Sequence, residues 1–174
     1  MPVNIEIKSR LADLAATRRI VEAICDGPPT VLGQRDTFFN SPHGRLKLRE
    51  IAAGDAAAGR AELIFYDRAD VAAARQSDYE IAPVADPSAT GALLARALGV
   101  LQVVEKTRLL FLVGQTRVHL DAVAGLGDFL ELEVVLRPGQ SAAEGRAIAT
   151  ELMQRLGIRP EDLVDRAYAD MLAR

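Results

Sequence analysis

The chain has no tryptophan, a single cysteine, only two histidines and an aromatic content of 5%. One cysteine, Cys25, excludes a disulfide framework and a thiolate metal site within one chain. No apolar run approaches the length of a membrane span, and the opening "MPVNIEIK" lacks the apolar core of a secretion signal. The chain is therefore expected to be soluble and cytoplasmic. There is no excess of positive charge either. The net charge is -3, so no general pull toward nucleic acid is expected. No internal repeat is evident. At 174 residues, with 49% apolar and 26% charged, the chain fits one ordinary globular domain over 1–174.

What is present is alternation. "NIEIKSR" sets Asn4, Glu6 and Lys8 against Ile5 and Ile7, the period of a half-buried strand. "GRLKLRE" sets Arg45, Lys47 and Arg49 against Leu46 and Leu48. "AELIFYDR" sets Glu62, Ile64, Tyr66 and Arg68 against Leu63 and Phe65. "VEKTRLLFLV" places Lys106 and Arg108 opposite Thr107, Leu109 and Phe111. "TRVHLDAV" places Arg117, His119 and Asp121 opposite Val118 and Leu120. "FLELEVVL" places Glu131 and Glu133 opposite Leu130, Leu132 and Val134. "QRDTFFN" and "SDYEIAPV" are weaker strands.

Helices are expected between and after the strands. Leu14, Val21 and Ile24, flanked by Ile20 and Cys25, form an apolar stripe. Asp86-Pro87 opens a helix that stops at Gly99, and Ser141 with Glu144 forms a capping box for one ending at Gly157. Pro160 is expected to open a last helix, "PEDLVDRAYADMLAR". The small-residue stretch "IAAGDAAAG" at 51–59 reads as a mobile loop.

Alternating charge usually means a sheet face in water. Here the signs cluster: Lys47 with Arg49, Lys106 with Arg108, Glu131 with Glu133. Like charges two apart on one face repel unless something of opposite sign lies between them. The many antiparallel strands favour closure, and the amphipathic helices need the apolar sheet face. That turns the charged face inward and gives a barrel with a polar lumen. Such a lumen is costly unless it holds charged ligand or water. Its basic residues suit a polyanion with several phosphates. Its carboxylates suit a hard divalent cation, Mg²⁺ or Mn²⁺, with Glu6, Glu131 and Glu133 as natural ligands and Lys8 on a phosphate.

The order "IEIK", "GRLKLRE", "VEKTR", "RVHLD", "GLGDFLELE" resembles the CYTH superfamily of triphosphate tunnel metalloenzymes. These include class IV adenylate cyclases, thiamine triphosphatases and inorganic tripolyphosphatases. The resemblance implies an α+β fold, an eight-stranded antiparallel tunnel closed as a barrel and wrapped by helices. It implies catalytic roles for Glu6, Lys8 and Asp121, and Mg²⁺ or Mn²⁺ on Glu6, Glu131 and Glu133. It implies triphosphate contacts from Lys8, Arg45, Lys47, Arg49, Arg68, Lys106, Arg108 and Arg117. It also implies that such chains can pair as homodimers. The chain departs from the family pattern twice: Asn4 stands where a glutamate is usual, and Tyr66 where a lysine is usual. Three functions follow as expectations: hydrolysis of a triphosphate compound, cyclisation of ATP to cyclic AMP and pyrophosphate, or polyphosphate binding with weak turnover. Of the remaining residues, His119 reads as a hydrogen-bonded wall residue or proton relay, His43 as an exposed turn residue and Cys25 as packing.

Overall fold

The structure is a computed structural model that describes residues 4–53, 59–67 and 75–173, with the backbone alone at 53 and 75–78. Its strands are β1 (Asn4–Arg10), β2 (Thr30–Phe39), β3 (Arg45–Ala53), β4 (Arg60–Asp67), β5 (Arg75–Val84), β6 (Val100–Val113), β7 (Thr116–Val123) and β8 (Gly127–Val135). The helices are α1 (Leu14–Glu22), α2 (Pro87–Leu98), α3 (Ala142–Arg155) and α4 (Tyr168–Leu172). Among the described residues, no helix is long and apolar enough to cross a membrane.

Every strand pair is antiparallel, and the ring order is β1-β5-β4-β3-β2-β6-β7-β8. Closure is less even than the expected barrel. β1 pairs with β8 along its whole length and, among the described residues, meets β5 at Asn4↔Ser77, Ile5↔Gln76 and Glu6↔Arg75 alone. Among the described residues the wall is a curled sheet that just meets itself. At Lys8 and Ser9 the chain end lies beside β1. Val164 N–H donates to the Lys8 carbonyl at 2.9 Å, and Leu163 bridges to Ser9.

That seam corrects the expectation of one long last helix. Pro160–Asp162 form only a 3-10 turn, closed by Arg159–Asp162 bonds. Leu163 and Val164 then pair with the β1 backbone at Ser9 and Lys8, giving those groups hydrogen bonds that a continued helix would forgo. Helix resumes only at Tyr168. The expected loop at 51–59 is also shorter, since β3 continues to Ala53; the rest of it lies outside the described residues apart from Gly59.

The other helix signals act as read. Asp86 accepts from Ala89 N–H at 2.9 Å, and Asp13, a cap outside those expectations, accepts from Ala16 N–H at 2.8 Å. Ser141 and Glu144 complete a reciprocal capping box. The glycines closing α2 and following α3, Gly99 and Gly157, take φ of 77° and 68°.

The alternation sorts the core into layers. Outward residues Ile5, Phe111, Val118, Leu120, Leu130 and Leu132 pack with Val21 of α1 and Ala149 and Leu152 of α3. Phe39 and Leu48 pack beneath Leu94 and Leu98 of α2. Inside, Phe38, Ile64, Tyr66, Val104 and Phe129 meet Tyr168 and Ala169 of α4 and fill one end of the lumen.

α3 lies close because Gly145 faces the wall. An added Cβ would run into Leu136 Cδ2 and sit 2.8 Å from Ile5 Cγ1. Gly145→Ala is therefore predicted to destabilise by about 1–3 kcal/mol despite alanine's better helix propensity. A chemical denaturation curve checks this.

Candidate functional site

The alternating strands turn Lys8, Asp36, Lys47, Arg49, Lys106, Arg108, Glu131 and Glu133 into one cavity of about 190 Å³. A sheet with both charged faces in water has no such lumen, so that reading fails. Burial of so many charges demands pairing, and the pairs follow one pattern used twice.

On β6 and β7, Asp121 stands opposite Arg108 in register. Arg108 donates through Nε and Nη2 to its two oxygens at 2.6 Å each, and Lys106 Nζ reaches Oδ2 at 3.0 Å. On β2 and β3, Asp36 stands opposite Arg49. Arg49 donates through Nε and Nη2 at 2.7 and 2.6 Å, and Lys47 Nζ donates at 2.8 Å. Each clamp is a Lys-x-Arg strand segment held by a buried carboxylate on its neighbour. β2 and β6 are themselves paired, with Gln34 facing Lys106, so the clamps sit side by side.

The acidic side adjoins them. Arg108 Nη2 also donates to Glu131 Oε2 at 2.5 Å, and Lys8 Nζ lies 3.3 Å from Glu131 Oε1. Arg117 Nη1 lies 3.4 Å from Glu133 at a more exposed position. Tyr168 closes one end: its hydroxyl donates to Asp121 at 3.1 Å, and Lys8 Nζ lies 3.9 Å from its ring centroid.

Burial alone raises the pKa of Asp36, but Lys47 and Arg49 outweigh it and leave the group far below the usual carboxylate range. Burial also raises Glu131, and Arg108, Lys106 and Lys8 bring it well below its ordinary value. Lys47 goes the other way: burial, with Arg49 beside it, lowers it from 10.5 to about 7 against the pull of Asp36. Lys106 is lowered chiefly by burial and by Arg108. His119 is lowered by burial and then by Arg108.

Most expected site residues converge here. Glu6 lines the same cavity on β1, opposite Glu133 in register. Arg45 is drawn elsewhere: it makes a two-pronged pair to Asp170 at 2.9 and 2.7 Å, tying α4 to β3. Arg68 lies outside the described residues. Asn4 is buried at the cavity wall, and among the described residues its Oδ1 has no hydrogen-bond partner. Tyr66 lines the cavity with a ring 5.6 Å from Lys47 Nζ, placing an aromatic wall where a charge is usual. His43 is exposed in its turn, as read.

Asp36 was not legible as a site residue. It sits in "QRDTFFN" with no partner near in sequence. The available signal was indirect: a buried Lys47-x-Arg49 needs a counter-charge, as Asp121 supplies for Lys106-x-Arg108.

The donor set fits a divalent cation. Among the described residues, His119, Glu131 and Glu133 each present a ligand atom within 4.8 Å of the others. Oxygen and imidazole donors of this kind suit Mg²⁺, Mn²⁺ and related ions.

The curled antiparallel tunnel thus sets two paired basic clamps beside an acidic group in one lumen. The chain belongs to the CYTH domain family, whose model matches residues 3–168. No curated protein matches it. The fold is shared with the PH1012 protein of Pyrococcus horikoshii OT3, at 24% identity over 96% of this chain and 98% of that one, TM-score 0.81. A candidate adenylate cyclase from Vibrio parahaemolyticus matches at 24% identity over 98% of both chains, TM-score 0.75. HpAC1 from Hippeastrum, a candidate adenylyl cyclase with a dominant triphosphatase activity, matches at 14% identity over 96% and 91%, TM-score 0.60.

The lowered Lys47 predicts a stability signature. Between pH 7 and 10.5 the unfolded chain holds a proton there that the folded chain has lost, so stability rises with pH in that window. Relative to Lys47→Met, the wild type should gain up to ~1.4 kcal/mol per pH unit. Urea unfolding of both between pH 7 and 9.5 checks this.

Proposed function

We propose that the protein is a metal-dependent triphosphatase that removes the terminal phosphate of a triphosphate compound. The observation that carries this reading is the pair of Lys-x-Arg clamps converging on one lumen beside Glu131 and Glu133. Arg49 and Arg108 offer forked donors to phosphate oxygens, and Lys8, Lys47 and Lys106 offer point charges. Asp36 and Asp121 hold these groups in place before the ligand arrives, so little reorganisation is needed on binding.

Glu131 and Glu133, with Glu6 on the facing strand, are the residues that would hold a divalent cation. When bound, such an ion supplies charge neutralisation and polarises the phosphoryl group. The coupling to the basic side runs through Glu131. At rest it is shared by Arg108 and Lys8. A cation held by Glu131 would draw on the same carboxylate that Arg108 and Lys8 share, while Asp121 keeps Arg108 in place. Hydrolysis then needs a water to attack the terminal phosphorus while the bridging P–O bond breaks, with the departing phosphate chain's charge held by the clamps.

Hydrolysis is preferred to cyclisation because it asks less of the site: cyclisation would also need a base pocket, for which the sequence offers no clear residues.

Phosphate release from tripolyphosphate, thiamine triphosphate and ATP, each with Mg²⁺ or Mn²⁺, tests the proposal beside an assay for cyclic AMP from ATP. Release from tripolyphosphate should fall by about 10²-fold or more in Glu131→Ala. Cyclic AMP as the main product would replace the reading with a cyclase. Neither product, with tripolyphosphate still raising the melting temperature, would make the protein a binding module.

A further inference from the structure

His119 stands out among the buried groups. It is the only histidine besides His43 in the chain and is 3% exposed. It faces Glu131 across the β7–β8 pair. Among the described residues its Nδ1 has no hydrogen-bond partner within bonding distance, yet it lies 3.8 Å from Glu131 Oε2 and 3.7 Å from Glu133 Oε1. Those distances are too long for N–H···O bonds. A buried polar nitrogen left so is costly. With the two carboxylates it forms a set of ligand atoms within 4.8 Å of one another, which a cation would satisfy. Two ligands each about 2.1 Å from one ion lie no more than about 4.2 Å apart, and both His119 distances fall inside that limit. Small rotations of the half-buried glutamates complete the set.

We infer that His119 Nδ1 is a direct ligand of the lumen cation, together with Glu131 and Glu133. This rests on the reading that the lumen holds a divalent metal. It gives the site a nitrogen donor that offsets the carboxylate missing at Asn4. An imidazole nitrogen makes the donor set less suited to Mg²⁺, which prefers an all-oxygen shell, and better suited to transition-metal ions, for which Mn²⁺ is the probe below.

The test uses Mn²⁺ alone on the full chain. Pulsed EPR of bound Mn²⁺ should show coupling to an imidazole nitrogen in the wild type and in His43→Gln, and none in His119→Gln. Calorimetry should show Mn²⁺ affinity in His119→Gln reduced about tenfold or more, with Mg²⁺ affinity reduced much less. Unchanged circular dichroism and melting of His119→Gln would show that the fold is intact. Bound Mn²⁺ without nitrogen coupling in the wild type, or with coupling that survives in His119→Gln, would overturn the assignment while leaving a metal site. Failure of the wild type to bind Mn²⁺ or Mg²⁺ at all would overturn the metal reading and this inference with it.

Discussion

Arg108 lies between two carboxylates, Asp121 and Glu131, inside a lumen where charge is poorly screened. Much of the site depends on that arrangement. Asp121 fixes the guanidinium's position on the wall, while Glu131 is the partner it can give up. The same wall holds a second such clamp, Asp36 with Lys47 and Arg49. Positive and negative groups are closely matched at rest, which is how a sheet can bury them. On the proposed function, a cation or a polyanion bound alone would disturb that balance, and the two bound together would be coupled by electrostatics, each strengthening the other.

The two departures from the family pattern fall on the margins of this network. Asn4 removes a carboxylate from the end of β1, but Glu131 and Glu133 remain beside His119. Tyr66 removes a cation from β4 and adds an aromatic surface beside Lys47, while both clamps stay intact. The apolar end of the lumen, where Tyr66, Phe38 and Phe129 meet Tyr168, gives the polar end a floor that excludes water.

Most of this was legible in the sequence because strand alternation is a local signal. The period of two placed Lys106, Arg108, Glu131 and Glu133 on one face before any tertiary contact was known, and the Asp86-Pro87 and Ser141–Glu144 helix starts are equally local. What could not be read was set by distant backbone. The last helix is interrupted because Leu163 and Val164 pair with the β1 backbone more than 150 residues away. Arg45 is paired with Asp170, 125 residues away, a partner no local pattern announces. Asp36 and His119 gain their roles only from the strands beside them, and a face reveals a residue's direction but not its partner.

The most direct test of the central claim is a calorimetric titration of tripolyphosphate into the protein with and without Mn²⁺ at fixed ionic strength. A single site per chain, bound at least about tenfold more tightly when Mn²⁺ is present after correction for the metal's own affinity for tripolyphosphate, is the predicted result. Equal affinity with and without the metal would contradict the account, since the lumen's acids and bases would then act independently.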